Sequence, residues 1–281
     1  MTDRGATAER TPSGAASRAL SALSNPSDRF VLAVFFVSLL CLDYAPSLAT
    51  NQAFPTIELI AFFAIGSLLH RLDADRVLSR ADYALLGLAG LALAHPWRHV
   101  GGLVLTLVGA WFCWKRDARL AAIGQLSLGL AFVELWGPVL QSAIEELLLP
   151  IETSFAFSTL SHLGDFTLIG NAISGAGGHT IVVEASCSAF LNVVATTLLW
   201  LSFLKIQRAT LRARQWLVLL LGVTCVVLVN TVRLNLCAWS MESYLFWHEG
   251  AGVTILEWTL LGVLLALFYF GLEDEKRQLI R

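Results

Sequence analysis

The stretch QWLVLLLGVTCVVLVNTVRLNL, residues 215–236, decides the fold. The hydrocarbon core of a bilayer, about 30 Å thick, takes about 20 mostly apolar residues as a helix, and this stretch has that length and character. Working outward, seven more segments come near the same criterion: 30–48, 54–70, 82–97, 99–114, 119–138, 186–204 and 251–271. The chain as a whole agrees. Of its 281 residues 56% are hydrophobic and 14% are charged, against roughly 25% charged in soluble domains. The fold expected is an all-α polytopic membrane protein of about eight transmembrane helices.

Charge sets the count and the orientation. Cytoplasmic loops are enriched in Lys and Arg, and these residues fall in five groups: Arg4, Arg10, Arg18 and Arg29; Arg71, Arg76 and Arg80; Lys115, Arg116 and Arg119; Lys205, Arg208, Arg212 and Arg214; Lys276, Arg277 and Arg281. Seventeen of the nineteen cations thereby fall on one side, leaving Arg98 and Arg233. The short segments 82–97 and 99–114 share a tight turn at His95, Pro96 and Trp97, and could be read as one kinked helix. Because basic groups flank both, an even number of crossings lies between them. Both termini are then cytoplasmic, in an inner or plasma membrane. Residues 1–29, rich in Ala, Ser, Thr and Arg, read as a disordered cytoplasmic tail without the apolar core of a signal peptide. Residues 30–272 form the membrane domain and 273–281 a second cytoplasmic tail.

From Gly137 to Ser186 there is no Lys or Arg, as expected of an outer loop. It begins as an amphipathic stretch with Glu145 and Glu146 and is expected to break at Pro150. From Ser154 to Val183, apolar and small or polar residues alternate, with turn signals at Gly175, Gly177 and Gly178. A short β-hairpin or extended cap over the outer helix ends is the reading. Those glycines are no phosphate loop, since no Lys-Ser/Thr follows. A net charge of −2 with no basic face left over speaks against a nucleic-acid partner.

Five cysteines, at 41, 113, 187, 225 and 237, contain no CxxC pair, so neither a zinc ribbon nor a dithiol is spelled out. Cys41, Cys113 and Cys225 lie in apolar runs, where a thiol behaves as a small hydrophobe. Cys187 lies where a polar segment enters a helix, and a helix N-terminus favours a thiolate. Arg233 lies 17 residues beyond Trp216, about 25 Å along a helix that starts inside, which brings it to the depth of Cys187. An arginine in an apolar span is costly and by default functional. His248 precedes the last helix on the same side and can carry a proton near neutral pH. Nucleophile, base and fixed cation make a kit for acyl transfer through a thioester, with no cofactor or metal required.

At Val183-Glu-Ala-Ser-Cys187-Ser, Asn230-Thr-Val-Arg233 and His248-Glu-Gly-Ala-Gly252, in that order and spacing, the chain resembles the exosortase and archaeosortase family of membrane-embedded cysteine transpeptidases. The resemblance is specific over the last third and elsewhere rests on hydropathy. It implies a Cys187, Arg233, His248 triad, and as substrates exported proteins whose C-terminal sorting signal and transmembrane helix are cleaved at the outer face, with transfer to an acceptor. Ser188-Ala189-Phe190-Leu191 departs from the Gly that commonly follows Cys-Ser in the family, which marks a divergent branch.

Blander readings stand beside these. Arg233 alone is as well explained by snorkelling or by pairing with Glu184, Glu242 or Glu249, and His162 and His179 are rival bases on the long loop. Asn192, Asn230 and Asn235 either orient the triad or bond between helices. Glu58, Glu134 and Glu257 lie inside expected spans, and with Arg233 they support an alternative, a permease or channel component. A third possibility is a non-catalytic subunit of envelope polysaccharide export.

Overall fold

A computed structural model describes residues 27–49, 56–72, 78–95, 97, 99–175 and 177–272. Apart from residues 27–29, the two expected tails lie outside the described residues, as does Arg98. Each of the eight apolar segments is helical: α1 (Asp28–Ala49), α2 (Thr56–His70), α3 (Arg80–Leu93), α4 (Val100–Trp114), α5 (Ala118–Ala131), α7 (Phe190–Ile206), α8 (Ala213–Ala238) and α10 (Ala251–Gly271). Between them lie α6 (Gly137–Leu160) and the single turn α9 (Met241–Tyr244). Three continuous helical stretches are long and apolar enough to cross a membrane: Ala118–Leu160, Ala213–Ala238 and Ala251–Gly271. Large apolar side chains also point outward, among them Phe63, Leu91, Leu220 and Phe270. Apolar surface on that scale needs lipid or a partner to cover it, and together with the long helices it indicates association with a membrane.

Helix α3 ends at Leu93 and α4 begins at Val100, so the disputed stretch is two helices. Ser79 and Asp82 form a capping box at the start of α3, satisfying donors that a helix end would leave orphaned. The Asp82 carboxylate has no exposed side-chain surface and sits 2.8 Å from Lys115 Nζ; it also accepts from Trp111 Nε1 at 2.6 Å, tying α3 to the far end of α4. Helices α4 and α5 touch backbone to backbone. A Cβ on Gly109 would stand 2.9 Å from the Gly124 carbonyl oxygen, and one on Gly124 would stand 2.7 Å from the Gly109 oxygen. Small residues are what allow helices to approach this closely.

Two expectations about residues 137–186 are corrected. The helix does not break at Pro150: α5 continues through a π-helical turn (Phe132–Trp136) into α6, which runs past Pro150 to Leu160. Proline inside a helix removes one backbone hydrogen bond and crowds the preceding turn, a cost of roughly 3 kcal/mol. Here Leu149, Thr153, Ala156 and Leu160 are buried along one face, and that packing offsets the loss. The strands accordingly start later than Ser154 and number three: β1 (Phe166–Ile169), β2 (Ala172–Gly175) and β3 (Thr180–Val182), antiparallel in the order β1-β2-β3. Gly170, at φ +58°, makes the two-residue turn between β1 and β2, a backbone state glycine adopts without penalty.

The core has three parts. One joins α1 to α5 around Phe112, Leu105 and Ile65; another joins α7, α8 and α10 around Phe268 and Leu199. The third seals the sheet onto α6 and the last turns of α8 through Leu160, Ile173, Ile181, Val183, Cys187, Leu234 and Cys237. Cys187 is thus placed by the junction of sheet and helices.

Candidate active site

From Val182 the chain passes buried Val183 and enters a short 3₁₀ turn, Ala185–Cys187, before α7 starts at Phe190. Cys187 therefore precedes the helix, with no place in its first turn. Three side chains from two helices pin the turn. Gln141 Nε2 of α6 donates to the Ala185 carbonyl at 2.7 Å, and Asn230 Nδ2 of α8 donates to the Cys187 carbonyl at 2.9 Å. Glu152 of α6 accepts from the Ser188 hydroxyl at 2.9 Å and from the Ala189 amide at 3.2 Å.

Glu152 alters the electrostatic expectation. Its carboxylate occupies the anion-favouring position at the start of α7 that the sequence offers to a thiolate. The Cys187 amide is likewise committed, to the Glu184 carbonyl at 2.9 Å. The thiol's side-chain neighbour is an imidazole: Cys187 Sγ, in a residue only 6% exposed, lies 3.6 Å from His248 Nε2.

His248 sits in a π-helical turn, Leu245–Glu249, between α9 and α10. Its ring stacks on Tyr244, with centroids 4.6 Å apart and planes 12° from parallel. Burial, reinforced by the Glu249 carboxylate, pushes the Tyr244 phenol up from its ordinary range. The other imidazole nitrogen, Nδ1, is buried and has no hydrogen-bond partner among the described residues. Gly252 makes the turn possible. A Cβ there would stand 2.5 Å from the Trp247 ring and 2.7 Å from the Phe246 carbonyl oxygen.

Cys187 and His248 open onto a cavity of about 210 Å³ whose wall includes Thr180, Val182, Glu184, Met241 and Tyr244. Arg233 is not in that wall. It lines a second cavity, of about 360 Å³, enclosed by α2, α7, α8 and α10, together with Glu58, Asn192, Asn230 and Glu257. The structure therefore brings two of the three expected residues into contact and sets the third one helical turn beyond Asn230, which itself holds Cys187. Arg233 makes no ion pair among the described residues, so the expected pairing with Glu184, Glu242 or Glu249 is not found; its buried Nε has no hydrogen-bond partner.

Of the rival histidines, His179 borders the same cavity, and each has a ring nitrogen close to a backbone carbonyl. His179 Nε2 lies 3.0 Å from the Cys237 carbonyl oxygen, and His162 Nδ1 lies 2.6 Å from the Ser158 carbonyl oxygen. Asn235 Nδ2 donates to the Thr159 hydroxyl, a helix-to-helix bond, whereas Asn230 holds the Cys187 carbonyl. Glu134 falls in the π-helical turn between α5 and α6, outside the cavity that Arg233 lines. Glu152, Gln141 and Tyr244 are the site residues that sequence reasoning missed. No cluster of His, Cys, Asp and Glu suited to a metal occurs among the described residues. Comparison with protein-family models, with curated proteins and with solved structures returned no match.

Proposed function

We propose that the protein is a divergent exosortase-like membrane cysteine transpeptidase with eight transmembrane helices. On this reading both termini are cytoplasmic, and the sheet and Cys187 lie at the outer face of an inner or plasma membrane. The observation that carries it is the 3.6 Å approach of Cys187 Sγ to His248 Nε2 beside an open cavity. A thiol within reach of an imidazole is the usual arrangement for an activated sulfur nucleophile.

His248 Nε2 takes the thiol proton as Sγ adds to a peptide carbonyl of the sorting signal. The tetrahedral adduct collapses, the C–N bond breaks, and the proton passes from His248 to the departing amine. A thioester remains on Cys187, and an acceptor amine or water displaces it and regenerates the thiol. Arg233 stabilises the oxyanion. In support, its guanidinium is not tied to a carboxylate, and it is carried one turn from the asparagine that holds Cys187. The anchor helix of the substrate enters laterally between helices.

One observation favours a second reading, a permease component: Arg233, Glu58 and Glu257 line a single cavity between helices. Intramembrane charges around a cavity are typical of an ion or substrate path. The deciding experiment co-expresses the protein with an anchored substrate and follows processing by gel shift. Cys187→Ala should abolish processing while the variant stays inserted. Unchanged processing rules out the enzyme, and transport lost on Glu58→Gln or Glu257→Gln but kept in Cys187→Ala establishes the permease.

A further inference from the structure

Strand β3 is an edge. Among the described residues nothing pairs with its second side, and the ladder determines which of its groups are unpaired. The Gly175 amide donates to the His179 carbonyl at 2.9 Å, and the Val183 amide donates to the Asn171 carbonyl at 2.9 Å. Antiparallel pairing alternates between hydrogen-bonded and non-bonded pairs, so Ile181, opposite Ile173, bonds to β2. Thr180 and Val182 then turn their amides and carbonyls away from the sheet.

The residues that carry those groups border the cavity beside Cys187. Thr180 and Val182 line the same 210 Å³ space as Cys187 and His248. A second cavity, of about 590 Å³, continues from it past His179, Thr180 and Met241 to Gly177 and Trp239. The two make one groove along the open edge of β3, with the nucleophile at the end where the strand finishes. Proteins normally blunt or cover an exposed edge. Here it is left open beside a reactive sulfur.

We infer that an extended peptide adds to β3 as a fourth, parallel strand through main-chain hydrogen bonds to Thr180 and Val182, which delivers the carbonyl that follows to Cys187 Sγ. This rests on the acyl-transfer reading and names its substrate: an unfolded stretch on the N-terminal side of the cleaved bond. The parallel direction follows from the two cavities. The groove leads from Cys187 toward the end of α8, where an exported domain would lie. The space around Arg233 leads back among Val226, Leu260 and Leu264, where a membrane anchor would lie. Recognition through main-chain groups tolerates many side chains at alternate positions and requires the peptide's own amides.

The test uses the full chain in lipid nanodiscs and two alkylating probes for Cys187: iodoacetamide, and an acetylated tetra-alanine chloromethyl ketone, whose carbon bonds to sulfur as chloride leaves. Val182→Pro deletes one outward amide and no β2–β3 bond. It should slow capture by the peptide probe roughly tenfold, about one lost hydrogen bond's worth, and leave the iodoacetamide rate unchanged. An unchanged peptide rate overturns strand addition.

If both rates fall, the sheet has shifted, and peptides with single N-methyl amides presented to the unaltered protein decide. Slowing at alternate amides supports the added strand, and equal rates at every position overturn it. Should iodoacetamide label the wild-type protein no faster than Cys187→Ala, the nucleophile itself is absent, and the acyl-transfer reading falls along with this one.

Discussion

The Glu152 carboxylate of α6 accepts from the Ser188 hydroxyl at 2.9 Å, so the residue that follows Cys187 is fastened to a different helix from the one it introduces. Removing the carboxylate leaves a buried hydroxyl and the Ala189 amide without an acceptor. Orphaned buried groups cost about 1–3 kcal/mol each. Glu152→Ala should therefore lower thermal stability in detergent by several degrees and slow alkylation of Cys187. Glu152→Gln keeps an acceptor oxygen and should recover most of the stability, as differential scanning fluorimetry will show.

On the acyl-transfer reading His248 is the proton acceptor, and Tyr244 is the platform on which its ring stacks. His248→Gln preserves bulk and hydrogen bonding but cannot carry the proton, so iodoacetamide labelling of Cys187 at neutral pH should drop about a hundredfold, the lower end of the range general bases supply. Tyr244→Phe retains the stacked ring and should label like wild type. Tyr244→Ala releases the imidazole and should resemble His248→Gln. Mass-spectrometric quantification of the Cys187 peptide reads all three.

The helices were legible because hydropathy needs only composition over about twenty residues, and every apolar segment named from the sequence is a helix. Pro150 was misread because proline's local cost is visible in a sequence, whereas the buried face of Leu149, Thr153 and Ala156 that outweighs it is not. Cys187 and His248 could be paired in advance because each stands beside a boundary that hydropathy marks. Glu152 could not. It is one carboxylate among several in its segment, and only the path of α6 under the Cys187 turn gives it a role. Arg233 was expected to converge with Cys187 and His248, but it lines the neighbouring cavity, since residue spacing fixes the height along α8 but not which cavity a long side chain enters.

The contact between α4 and α5 should be intolerant of a single methyl. Gly109→Ala places its Cβ against the Gly124 carbonyl, and overpacking of this kind typically costs 1–3 kcal/mol, so about 2 kcal/mol is expected. Gly66 and Gly262 have nothing within 4 Å of an added Cβ. Alanine at either should leave the melting midpoint unchanged, or raise it slightly through helix propensity. Equal midpoints for Gly109→Ala and Gly66→Ala would show that the helices do not pack at this distance.

Arg233 separates the two functional readings. If its charge holds an oxyanion, Arg233→Lys keeps the charge but loses the forked donors. Thioester formation with a peptide substrate should then fall by about two orders of magnitude, as when an oxyanion donor is removed. Iodoacetamide alkylation, which creates no oxyanion, should remain near the wild-type rate. Were Arg233 instead the cation of a transport path together with Glu257, the same substitution would spare acylation, and Glu257→Gln would match Arg233→Lys in a vesicle flux assay. Measuring peptide acylation and flux on both variants gives four values, and the enzyme reading requires that only Arg233→Lys impair acylation.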